Sequence, residues 1–151
     1  MEFFKYIVSK DIKNIKFLPR ALYSGAMYGI KVFDERRVKE CFLKFIENID
    51  EAELAKLTKS FYDERISKIL YKDAVDMIKK LKNEGYMVVL ISASPEFYVK
   101  EFYAIKEVDL IIGTKFAFEG GKFIRKMDGK NCKGEEKVRR LNEVLKEKNI
   151  K

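Results

Sequence analysis

The amino-acid sequence predicts an α/β protein: part of a Rossmann-like parallel sheet with covering helices, joined to an N-terminal helical bundle and a β-hairpin. Three observations predict it. Residues 1–70 carry apolar side chains at helical spacing and show no strand-like alternation. Two short apolar runs follow, 86–91 (YMVVLI) and 108–112 (VDLII), with a helical stretch between them. Continuous apolar runs of that kind mark strands buried on both faces, and their alternation with helices argues for a parallel sheet. Finally, Phe116 to Ile124 alternates around Glu119-Gly120-Gly121, the pattern of a hairpin. The chain therefore divides at residue 70 into a helical region, 1–70, and a partial α/β core, 71–151.

Each element has its own signal. Phe3, Phe4, Ile7 and Val8 make a short amphipathic helix. A second helix is expected over 12–28, kinked at Pro19 and weakened at Gly25 and Gly29. Asp34 caps a third, whose inner face is Val38, Cys41, Phe42, Phe45 and Ile46. Asp50, with Glu53 three residues on, has the spacing of a capping box for a fourth, lined by Leu54, Leu57, Thr58 and Phe61. Ala74, Ile78 and Leu81 belong to a helix closed by Gly85. Helix returns over 96–103, and a last one runs over 133–148 with Val138, Leu141, Val144 and Leu145 inward.

Composition excludes several functions. The 151 residues contain no histidine and two widely spaced cysteines, Cys41 and Cys132. A zinc site and an imidazole base are thereby disfavoured. Sparse cysteines suit a reducing cytoplasm. The formal charge is +8. It fits an anionic partner, or simply lysines that solvate helices along the whole chain. No zinc-finger or RNA-recognition pattern supports nucleic acid as that partner. The segment 17–33 is apolar, but Arg20 and Lys31 interrupt it and it is too short to span a membrane. A packed helix explains it, with an interfacial amphipathic helix as the second option.

The chemistry concentrates where the first strand ends in Ser92-Ala93-Ser94-Pro95. Ligands of open α/β sheets bind beyond the carboxyl ends of the strands. A hydroxyl beside unpaired amides at a helix start cradles a phosphate. The plainer alternative is that Ser94 caps the next helix and Ser92 merely ends the strand. Forty-one residues after Ser92, Lys133 stands at the expected start of the last helix, where the helix dipole disfavours a cation. It is either a solvated lysine or one aimed at a bound anion.

These motifs, LISASPEFY and NCKGEEK with a hairpin between, resemble the haloacid dehalogenase superfamily, and within it the phosphoserine phosphatase-like subgroup with a helical cap inserted early. The resemblance implies that Ser92 and the Ala93 amide hold phosphoryl oxygens; Ser94 is then the expected helix cap, next to the substrate. It implies that Lys133 neutralises the phosphate, and that residues 1–70 form the cap that selects the leaving group. Arg65, near the end of that region, is then a candidate for an anionic substrate group, or an exposed helix charge. The apolar segment 17–33 is compatible with a lipid-like substrate or with a packed cap helix.

The resemblance also implies an Asp-x-Asp nucleophile motif and a later acidic pair that help hold Mg²⁺. No Asp-x-Asp occurs in the sequence, and Asp109 and Asp128 are placed wrongly to substitute. The expectation is a phosphate-monoester hydrolase truncated at both ends: inactive alone, without metal ligands, and prone to associate with a complementary fragment or its own copies through open sheet edges. The alternative is a non-catalytic module or pseudo-phosphatase that binds a small phosphorylated metabolite.

Overall fold

The structure, a computed structural model, describes residues 2–149. Helix α1 (Glu2–Lys10) buries Phe3, Phe4, Tyr6 and Ile7, a stripe one turn apart. A 3₁₀ turn, Ile12–Phe17, leads into α2 (Leu18–Gly29). Pro19 lies in the first turn of α2, where its missing N–H costs nothing, so it starts this helix and does not kink a longer one. Asp34 caps α3 (Glu35–Phe42) by accepting from the Arg37 amide at 2.8 Å, as expected. Asp50 precedes α4 (Glu51–Phe61) without capping it. Its carboxylate instead meets Lys122 of the hairpin at 3.2 Å, and the expected capping box does not form. A π turn, Tyr62–Ile66, and the short α5 (Ser67–Ile69) close the helical half.

Helix α6 (Lys72–Asn83) packs Val75, Ile78 and Leu81 inward and ends at Gly85, whose φ of 86° only glycine adopts freely. Strand β1 (Val89–Pro95), the short α7 (Glu96–Val99) with its 3₁₀ extension Lys100–Ala104, and β2 (Leu110–Thr114) follow. The strands pair in parallel, Val89 with Leu110 through Ile91 with Ile112. β1 therefore starts three residues later than its apolar run suggests, and Tyr86 is exposed. Asp109 explains the offset: its carboxylate accepts from the Val88 amide at 2.8 Å and closes the entrance to the ladder. β3 (Phe116–Glu119) and β4 (Lys122–Met127) form the antiparallel hairpin around Gly120-Gly121, both at positive φ. Helix α8 (Glu135–Glu147) ends the described chain.

Two hydrophobic clusters hold these elements. The larger joins α1, α4 and the Leu43–Ile46 turn to the inner face of the hairpin through Phe116, Phe123 and Met127. Its phenylalanines meet edge-on, as Phe3 does with Phe61 at 5.0 Å between ring centres. Each such side chain contributes roughly 1.5–3 kcal/mol on burial. The smaller cluster packs Val88, Val99, Ile105, Val108 and Ile111 beneath α6. β1 is only half-buried, unlike the two-faced burial its composition predicts. Among the described residues it pairs with β2 alone. Two of its carbonyls also serve lysines: Ile91 accepts from Lys137 Nζ at 3.1 Å and Ala93 from Lys39 Nζ.

Gly113 fixes where α7 sits. A Cβ there would come within 2.6 Å of the Glu96 Cα, so only glycine lets the start of α7 lie on β2. We expect Gly113→Ala to cost about 1–2 kcal/mol, the usual scale of overpacking. Urea denaturation measures it, and an unchanged midpoint would refute the close approach.

Candidate functional site

The β1–β2 ladder breaks where the sequence turns polar. Ile91 pairs with Ile112 and Pro95 with Thr114, so four steps along β1 match two along β2. Ser92, Ala93 and Ser94 thus stand opposite Gly113 alone, a surplus of two that arches from the ladder. Ser92 Oγ accepts from the Ser94 amide at 3.1 Å, which closes the arch and leaves the hydroxyl proton available to an external acceptor. Helix α7 begins at Glu96 with Pro95 before it and no side-chain cap. Ser94 is thus part of the arch, not the cap that the plainer reading makes it.

Around the Ala93 carbonyl lies a polar network that the sequence did not announce. Thr114 Oγ1 donates to that carbonyl at 2.7 Å and accepts from the Cys132 amide at 3.1 Å. Lys39, reaching down from α3, donates to the same carbonyl and to Asn131 Oδ1 at 2.5 Å. Asn131 Nδ2 donates at 2.6 Å to Glu35, which also pairs with Lys133. Lys39, Glu35, Asn131 and Thr114 are the residues sequence reasoning missed. The one available signal was Glu35 and Lys39, four apart on one helix face, which reads first as an ordinary surface pair.

Lys133 does not lie in the first turn of α8. Gly134, at φ 55° and ψ −129°, separates it from the helix, and Glu135 and Glu136 occupy the first turn as the dipole prefers. Lys133 joins the arch only through Glu35, Asn131 and Lys39. The Lys133 ammonium holds the Glu35 carboxyl below its ordinary range, and Glu35 in turn raises Lys133. Lys133 is exposed, and exposed pairs contribute little, so this partner is readily exchanged for another anion. Lys39 is half-buried, and that burial pushes its ammonium below the ordinary lysine range despite the pull of Glu35.

A cavity of about 620 Å³ opens above the arch. Ala93 and Ser94 form its floor, α2 and α3 its walls through Leu22, Gly25, Val38 and Phe42, and Lys39 is the cation in its lining. Ser92 is not in that lining; with Leu90, Ile91 and Val99 it lines a smaller cavity of about 220 Å³. Arg65 is exposed on the π turn and does not line the large cavity, although its neighbour Ile66 does. Val138, expected inward, is exposed; α8 instead buries Glu136 and Arg140.

The donors present do not fit a Mg²⁺ site. Among the described residues no three or more carboxylate, thiol or imidazole side chains converge, and Glu35 already holds Lys133 and Asn131.

A family model described as haloacid dehalogenase-like hydrolase matches residues 1–151. Protein CicA of Caulobacter vibrioides is 31% identical over 118 residues, 76% of this chain and 53% of its own length. The chain thus spans about half the length of the curated relatives it matches. A Bordetella pertussis Tohama I protein of unknown function superposes with a TM-score of 0.81 at 20% identity, covering 95% of this chain and 64% of that one. A probable phosphoserine phosphatase from Vibrio cholerae superposes at 0.70 and 11% identity, covering 99% and 43%. At these identities the two structures share the fold.

Proposed function

Because the chain belongs to the haloacid dehalogenase-like hydrolase family, we propose that it carries the phosphoryl-binding half of a phosphate-monoester hydrolase. One observation supports this most: the arch Ser92-Ala93-Ser94 leaves the ladder at the carboxyl end of a parallel strand, under a cavity whose lining cation is Lys39. In this reading Ser92 donates its hydroxyl proton to a phosphoryl oxygen, and the elbow backbone at Ala93 and Ser94 positions the group. Lys133 leaves Glu35 to offset the phosphoryl charge. Arg65 remains a surface cation. Residues 1–70 act as the lid that selects the leaving group of a phosphorylated small molecule in the cytoplasm.

The nucleophile is a separate matter. No Asp-x-Asp stands in the sequence, so the 151 residues bind the phosphoryl group without transferring it. Mg²⁺, where the reaction uses it, would take ligands other than Glu35, which Lys133 and Asn131 already occupy. The open edge of β1 is where a complementary chain or a second copy would pair.

Calorimetry with inorganic phosphate tests the binding. Ser92→Ala should weaken it about fivefold, the loss of one hydrogen bond, and Lys133→Ala should also weaken it. Equal affinities in all three proteins would sink the assignment. With p-nitrophenyl phosphate and Mg²⁺, turnover should stay below ~1 s⁻¹, the low end of the ordinary enzyme range.

A further inference from the structure

The wall of the cavity is unusual on its outer side. Ile12, Leu22, Ile30 and Val32 are 66%, 61%, 64% and 61% exposed, with Tyr23 and Ile15 also turned outward. A chain normally scatters such residues singly; here they fall within the 22 residues 12–33. The same segment holds Lys13, Lys16, Arg20 and Lys31 and no aspartate or glutamate. Its four positive charges are half of the net +8 of the chain. Exposed apolar side chains mixed with uncompensated cations suit an anionic bilayer surface, where the rings and aliphatic groups enter the acyl boundary and the lysines meet headgroups.

This surface is continuous with the cavity. Leu22 both lines the cavity and stands exposed, so the mouth opens on the apolar, basic face. From there to the arch the wall is apolar through Gly25, Val38 and Phe42, and the one carboxylate in the lining, Glu2, is paired with Lys5. Ser24 adds no free polar group, because its hydroxyl donates to the Ala21 carbonyl at 2.9 Å. We infer that the leaving group of the substrate is an acyl-bearing alcohol. The ligand is a phosphorylated lipid drawn from an anionic bilayer on which segment 12–33 rests, with its phosphate at the elbow Ala93-Ser94 and Lys39 and its chain along α2. The inference rests on the phosphoryl-binding reading and narrows its substrate class.

Two measurements on the whole chain test it. In flotation assays, adding about 20 mol% phosphatidylglycerol to phosphatidylcholine vesicles should raise partitioning at least tenfold, given four cations at the surface. Leu22→Glu and Ile30→Glu, both at exposed positions, should abolish that gain without changing the circular dichroism. In calorimetry, dioctanoyl phosphatidic acid should bind at least about tenfold tighter than glycerol 3-phosphate, from the apolar area buried. Gly25→Trp, at a helical position whose Cβ would meet nothing within 4 Å, should erase that difference. If inorganic phosphate binds but the lipid binds no tighter than glycerol 3-phosphate, the lipid inference fails and the phosphoryl site stands. If the lipid binds tightly but the vesicles do not capture the chain, the bilayer is not its source. Failure of inorganic phosphate itself overturns the underlying site.

Discussion

Replacing Arg140 by methionine should destabilise the protein by about 3 kcal/mol, the lower end of the cost of removing one partner of a buried ion pair. Arg140 is buried on α8 and donates through Nε to Glu136 at 2.8 Å, one turn away on the same helix. Its other nitrogens donate to the Gly113 carbonyl at 2.7 Å and the Lys130 carbonyl at 3.0 Å. One guanidinium therefore ties α8 to the end of β2 and to the loop that carries Asn131 and Lys133. Methionine fills much of the volume but leaves a buried carboxylate and two carbonyls short of a donor. Glu136 keeps Arg139 as a partner, which places the cost at the lower end. For a chain of this size the melting temperature should fall about 6–12 °C. Arg139→Met, at an exposed side chain, should change it far less. Scanning calorimetry decides, and equal losses for the two variants would refute the distinction.

The pair also fixes an acid dependence. Hydrogen bonds from Arg139 and Arg140 lower the Glu136 carboxyl from 4.5 to about 2. Between those values the unfolded chain binds a proton that the folded chain does not. The stability this group contributes is complete above pH 4.5 and is lost as the pH falls towards about 2. In Arg140→Met the slope of stability over that window should flatten, and denaturant titrations at several acidic pH values read it.

The positions of the helices were legible because their apolar spacing and their terminal residues agree, as at Asp34 and Gly85. The hairpin was legible in Gly120-Gly121 for the same reason. What misled the reading were charged side chains spent on other elements. Asp50 looks like a cap but meets Lys122, and Asp109 looks like a strand residue but delays β1. Val138 looks inward by spacing, yet the buried positions of α8 belong to Glu136 and Arg140. The serine arch was visible as an apolar run that ends in small polar residues. Lys39 was not, because its partners, Ala93 and Asn131, lie 54 and 92 residues away and no local pattern encodes them.

That hidden lysine carries the second large expectation. Lys39→Met should weaken inorganic phosphate binding about thirtyfold, the equivalent of a charge-assisted hydrogen bond of roughly 2 kcal/mol. Lys39 lines the cavity beside Ala93 and Ser94, whereas Lys133 must first leave Glu35. Their titrations separate them. Burial lowers Lys39, and Glu35 raises Lys133. As the pH rises, Lys39 loses its proton first, below the ordinary lysine value, while Lys133 stays charged. Phosphate affinity should therefore begin to fall on the alkaline side earlier than an ordinary lysine would dictate, and Lys39→Met should remove that early limb along with most of the affinity. Lys39→Arg should restore little, because a planar fork does not fit the half-buried site that a compact ammonium fills. Calorimetric titrations with phosphate from pH 7 to 10 check this in one series. An unchanged alkaline limb in Lys39→Met would assign the phosphoryl charge to Lys133 and leave Lys39 as a strut between α3 and the arch.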